Sequence, residues 1–137
     1  PFFEVRFPRY GGICPLRSVH SAFLQPNVLR IQVSRLPDGL TFFSVARTIR
    51  RHRGGYHTPE ILYAIELGRE IEWARRLVYA DGIDLSNVVG APVGTTCRLC
   101  ERLDCGARAF PSIQRPLIVD ENVRGVSLFA PADEPPE

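Results

Sequence analysis

The chain has 137 residues, 45% hydrophobic and 23% charged, a balance that suits one globular domain with a real core. Its net charge is +2, too small for a dedicated nucleic-acid surface, and no apolar run approaches the roughly 20 residues that span a bilayer. All 17 basic residues are Arg, a bias spread along the whole chain as a GC-rich coding sequence would give.

The first residue is Pro1, not Met, and no charged start leads into an apolar segment. The expectation is a fragment of a longer polypeptide, with residues 1–130 forming the domain and 131–137, proline-rich and acidic, a flexible tail. Phe2 to Phe7 reads as a short strand. Tyr10 to Leu16 is rich in turn residues and places Cys14 at a bend. Ser18 to Leu24 suits a short helix.

The next stretch has the clearest pattern. Leu29, Ile31 and Val33 alternate with Arg30, Gln32 and Ser34, the period of a half-buried strand. Pro37-Asp38-Gly39 is a turn signal, and Leu40 to Ile49 is a second strand, so the pair forms an antiparallel hairpin. Arg50 to His57 reads as a loop. Thr58-Pro59-Glu60 has the form of a helix start, and the helix is expected to run to about Ala80. Ala64, Leu67, Gly68, Ile71, Ala74 and Val78 would face its core side, with Glu66, Arg69, Glu70 and Arg76 in water. Asp81-Gly82 ends it. Beyond the cysteines, Pro116 to Asp120 and Val126 to Phe129 read as strands. The expected class is α+β: a mostly antiparallel sheet with one long helix and a cysteine-rich metal or cluster loop.

Three of the four cysteines, Cys97, Cys100 and Cys105, form a C-x2-C-x4-C pattern. One short turn lets the first two sulfurs converge, and a tight loop can return the third. Cys14 lies far off in sequence, beside the Gly11-Gly12 and Pro15 bend. Four thiolates suffice for a tetrahedral zinc or an iron–sulfur cluster. Disulfides would need an oxidising compartment that nothing here indicates, so a cytoplasmic setting is expected. A zinc ribbon carries two C-x2-C pairs and this chain has one, which favours iron–sulfur chemistry. Arg98, Arg102 and Arg108 flank the ligands and would offset an anionic centre.

The segment GAPVGTTCRLCERLDCGARAFPSI resembles the C-terminal domain of bacterial XRE-type regulators of short-chain fatty acid metabolism, the group of the propionate and acetate regulators. ICPLRSVHSAF, RLPDGLTFFSVARTI and ARRLVYADGIDL agree with it, so the resemblance runs from about residue 11 to 129. It implies a sensor domain, not an enzyme, with a [4Fe-4S] cluster on Cys14, Cys97, Cys100 and Cys105. Zinc, in a structural dimerisation or docking module, is the alternative. It also implies DNA binding only through an N-terminal part that this chain lacks. The rest of the regulator chain, a second copy and a short-chain acyl-CoA are the candidate partners. Arg17 stands where such regulators often carry Trp.

Arg47, Arg50, Arg51 and Arg53, followed by Gly54-Gly55-Tyr56, are the candidate anion site, since guanidiniums in a glycine-bearing loop suit the phosphates of coenzyme A. A solvated hairpin end or a contact surface for the rest of the regulator explains them equally. His20, six residues from Cys14, is a substitute ligand or a hydrogen-bonded surface residue. The histidines form no H-E-x-x-H, and no Ser-His-Asp or Cys-His arrangement is readable. Core packing explains Trp73 and Tyr79. A solvated helix face explains Glu66, Glu70 and Glu72.

Overall fold

The computed structural model describes residues 12–51 and 54–114. The strands read at Phe2 to Phe7, Pro116 to Asp120 and Val126 to Phe129 lie outside them, as does the tail. The described elements run in the order α1 (Ser18–Ser21), β1 (Arg30–Arg35), β2 (Thr41–Arg51), β3 (Ile61–Glu70) and β4 (Ala91–Pro92). The strands form one sheet in the order β3-β2-β1-β4.

The β1–β2 hairpin stands where the alternation put it, with Val33 opposite Phe43 and Ile31 opposite Val45. Its turn is fixed by three hydrogen bonds. Leu36 N–H donates to Leu40 O at 2.8 Å and Gly39 N–H to Leu36 O at 3.0 Å. The Asp38 carboxylate accepts Leu40 N–H at 3.0 Å. Gly39 sits at φ +89°, a conformation that side chains with a Cβ disfavour.

The expected helix from Thr58 to Ala80 is not formed. Ile61–Glu70 is β3, antiparallel to β2, and only Ile71–Arg76 and Val78–Ala80 turn, as short 3₁₀ segments. The loop expected from Arg50 likewise begins later, because β2 runs through Arg51. The physical reason lies in a double period. Ala64, Leu67, Gly68 and Ile71 recur at helical spacing, but Ile61, Tyr63, Ile65 and Leu67 also alternate. The latter are β-branched, aromatic or bulky, and a long β2 offers ten backbone partners. Gly68 then lies in ordinary contact with Ser44 Cβ, 3.6 Å from where its own Cβ would stand.

The sheet is mixed rather than wholly antiparallel, since β4 pairs parallel to β1. Gly90 permits that approach: a Cβ there would stand 3.1 Å from Arg35 N. Segment 71–85 covers one face of the sheet, where Ala74, Ala80, Ile71, Leu77, Ile83 and Leu85 close over Phe43, Val33 and Val45. The short helix α1, expected within Ser18 to Leu24, and the 3₁₀ turn Ala22–Leu24 contact the opposite face. Among the described residues no helix is long and apolar enough to cross a membrane.

Candidate metal centre

Two separate parts of the chain supply the thiols. The first is the turn before α1, where Arg17 N–H donates to Cys14 O at 3.1 Å and Cys14 is 5% exposed. Gln32 on β1 fastens this turn to the sheet. Its amide oxygen accepts Ser18 N–H at 2.8 Å, and its NH2 donates to Leu16 O at 2.9 Å. Cys14 then packs with Leu36, Phe42 and Val93 in a small core of its own.

The second part follows β4. Val93 N–H donates to Arg35 O at 3.1 Å, which anchors the start of this segment against the end of β1. Cys97–Leu99 makes one 3₁₀ turn, and Cys100 N–H donates back to Cys97 O at 3.3 Å. Arg108 N–H donates to Cys105 O at 3.2 Å and closes the loop.

All four cysteines line one narrow cavity, together with Pro92, Gly94, Thr96, Arg102 and Arg108. None is in a disulfide. The residue far away in sequence and the clustered trio are therefore brought together. Three features of the cavity suit an anionic sulfur-bound group. A Cβ on Gly94 would lie 3.0 Å from Cys100 Sγ, so glycine keeps this wall back from the sulfur. Ala109 N–H donates to Cys97 Sγ at 3.4 Å. Arg108 is 6% exposed, and its guanidinium donates to Cys97 O, Cys100 O and Arg102 O.

The Cys14 thiol is pushed up by burial and pulled down by the backbone N–H groups of Gly94 and Leu16, with Cys97 and Cys105 raising it further. The last two effects place Cys97 and Cys105 within electrostatic reach of Cys14. Among the described residues, however, no three His, Cys, Asp or Glu side chains stand close enough to hold a single metal ion.

The three flanking arginines divide in their roles. Arg108 is buried in the loop. Arg102 lines the cavity and donates to Arg35 O at 2.8 Å. Arg98 instead stacks on Phe110, 5.3 Å from the ring centroid. Composition could not rank them; burial does. The sequence reading passed over Gly94, whose only signal is its place three residues before Cys97, and Gln32, which looked like an ordinary polar position on a strand. His20 is exposed, and its ring lies 3.3 Å from Ile13 O, in the surface role rather than the ligand role.

The candidate anion residues take other places. Arg47, Arg50 and Arg51 lie on the outer half of β2, all exposed, and Arg53 is outside the described residues. Arg50 pairs with Glu60 across the hairpin at 2.7 Å, and Tyr56 is 99% exposed at its end. A separate cavity lies on the other side of the Cys14 turn, lined by Ile13, Arg17, Val19, Leu36, Phe42, Glu66 and Val93 among others. Glu66, expected in water, stands beside Arg17 there at 4.0 Å and accepts from Ser18 Oγ at 3.3 Å.

Residues 3–129 match the family described as short-chain fatty acyl coenzyme A regulator, C-terminal. The chain belongs to this family. Among curated members, the HTH-type transcriptional regulator RamB of Mycobacterium tuberculosis is 42% identical over 126 residues, 90% of this chain and 27% of that protein. The propionyl-CoA carboxylase regulator of Cereibacter sphaeroides is 40% identical over 128 residues, 93% of this chain and 28% of its own. The HTH-type regulator PrpR of M. tuberculosis is 42% identical over 123 residues, 89% and 25%. A solved M. tuberculosis transcriptional regulator superposes with a TM-score of 0.77 at 38% identity, covering 92% of this chain and 38% of that one. This short-chain fatty acyl coenzyme A regulator domain thus spans about a quarter of the curated relatives it matches. By name those relatives are regulators, not enzymes.

Proposed function

We propose that this domain is the sensor module of a transcription regulator of short-chain acyl metabolism, and that Cys14, Cys97, Cys100 and Cys105 hold a [4Fe-4S] cluster. The observation that carries the reading is the meeting of four unpaired thiols from distant parts of the chain in one cavity, beside a buried guanidinium. A thiolate-bound cluster is a net anion, and the Arg108 guanidinium beside it would help offset that charge. Gly94 leaves room at Cys100, and the Ala109 amide points at Cys97 Sγ, as donors to bound sulfur do.

Four thiols would also satisfy a single zinc ion, and metal and sulfide content tells the two apart. The cluster, when bound, supplies a redox-active centre that oxidants and nitric oxide can alter. The chain's own residues do the rest. Cys14 ties the turn before α1 to the cysteine loop, and Arg108 ties that loop's carbonyls together. Gain or loss of the fourth sulfur therefore shifts the Ile13–Arg17 wall of the neighbouring cavity.

Four free thiols suit the reducing cytoplasm. DNA is reached through another part of the regulator, and a short-chain acyl-CoA is the effector suggested by the family's description. Purification without oxygen tests the centre. Iron and sulfide in equal amounts with visible absorption are expected, and Cys14→Ser should lower both. A colourless protein with one zinc per chain would replace the cluster with the structural reading.

A further inference from the structure

Among the described residues, the sheet face that carries Phe43 is only half covered. Strand register puts Ile31 of β1, Ile49 of β2, and Ile61, Tyr63, Ile65 and Leu67 of β3 on this same face. Among the described residues, segment 71–85 closes over Phe43, Val33 and Val45 and leaves the other half open. There the six apolar side chains are between 42% and 72% exposed, Ile31 at the low end and Leu67 at the high. On an edge or surface strand, alternation normally turns such residues inward and polar ones outward. Here the exposed positions of β3 are the apolar ones, and its half-buried positions include Glu66 and Gly68. A contiguous apolar patch that continues a core marks a surface with a partner.

Charge selects the partner. The residues of β1 to β3 on this face include the exposed Arg47 and Arg51 and no carboxylate. Two copies packed face to face would set these guanidiniums against one another with no carboxylate of these strands to offset them. Length supplies the occupant. The matched family is a C-terminal domain, and its curated members have about three quarters of their length outside the matched part. We propose that the open half-face seats the preceding region of a regulator of this family, through an apolar surface rimmed with carboxylates that meet Arg47 and Arg51. The proposal rests on the reading of the chain as a regulator module and is independent of what the thiols hold.

The probe is the part of M. tuberculosis RamB that lies before its matched segment, made as a separate protein and titrated with this chain at low and high salt. Iron is measured in the same samples, so a failure of the cluster reading shows separately. A one-to-one complex is expected. Ile65→Asp with Leu67→Asp should weaken it at least about tenfold, as loss of central apolar anchors does. Arg47→Glu with Arg51→Glu should weaken it several-fold at low salt and less at high salt. All four positions are exposed, and an unchanged circular dichroism spectrum certifies the fold of each variant. The proposal is overturned if no complex forms, or if both double variants bind as the parent does. It is also overturned if the chain alone dimerises and Leu67→Asp makes it monomeric, since the occupant is then a second copy.

Discussion

Arg108→Met is the most informative single change in the cysteine loop. It keeps the length and apolar stem of the side chain and removes the guanidinium. That group donates to Cys97 O at 3.2 Å and to Cys100 O at 3.4 Å, and also to Arg102 O. A hydrogen bond from a charged donor contributes about 1.5–3 kcal/mol net. The three do not sum, because Cys100 and Arg102 are only half-buried and their carbonyls can recover water, while Cys97 is buried and its carbonyl cannot. The methionine also regains the cost of burying a cation. The balance is a loss of about 2–4 kcal/mol. With an m-value of about 2 kcal/mol/M, the urea midpoint falls by about 1–2 M. Arg108→Lys should fall between, since an ammonium on a flexible stem cannot fork across three carbonyls. The assay is urea unfolding followed by far-ultraviolet circular dichroism, with a chelator present so that metal loss is not counted. A midpoint within about 0.3 M of the parent's would show that the buried guanidinium does not hold the loop together.

Other changes probe other links. Phe43→Ala empties the centre of the larger core, where Phe43 is 1% exposed, and should cost about 3–5 kcal/mol in thermal or urea unfolding. Gln32→Leu removes both fastenings of the Cys14 turn. It should lower stability by about 1–3 kcal/mol and speed the reaction of Cys14 with a thiol reagent, read by mass spectrometry of labelled peptides. Gly39→Val forces a β-branched residue to φ +89° and should cost about 1–2 kcal/mol with the sheet spectrum retained. The Asn87 side-chain amide and the Ser86 backbone N–H hold the Asp84 carboxyl below its ordinary 3.8. A depressed carboxyl stabilises the fold above the unfolded-state value and loses that contribution as pH falls through the folded one. Asp84→Asn should therefore lower the melting temperature at neutral pH, and the gap to the parent should close in acid below 3.8.

What could be read from residues alone depended on whether one period or two fitted them. The β1–β2 hairpin was legible because Leu29 to Ser34 obey a single period and Pro37-Asp38-Gly39 permits little besides a turn. Residues 58–80 obey two, and Thr58-Pro59-Glu60 tips a local reading to helix. The deciding partner, the ladder of β2 from Phe42 to Arg51, is a tertiary fact no window of β3 contains. The cysteine trio was legible from its spacing. Its supports were not: Arg108 looked like Arg98 until burial separated them, and Gly94 acquires meaning only when Cys100 Sγ is found 3.0 Å from its missing Cβ. Arg50, read as part of a candidate anion site, pairs with Glu60 across a hairpin that the helix reading had denied.

The position of Cys14 joins these parts into one argument. Were the thiol centre a local staple, the trio from Cys97 to Cys105 with a nearby fourth ligand would serve. The fourth sulfur comes instead from the other end of the described chain, on a turn that Gln32 fastens to β1 and that lines a second cavity through Ile13 and Arg17. Leu36, Phe42 and Val93 touch Cys14 in the core and also line that cavity. On the proposed sensor reading, a change of bonding at the sulfur would act on the turn that carries the Arg17–Glu66 pair and the Gln32 hydrogen bonds. On that reading, this placement supplies the joint through which the state of the centre would reach another surface.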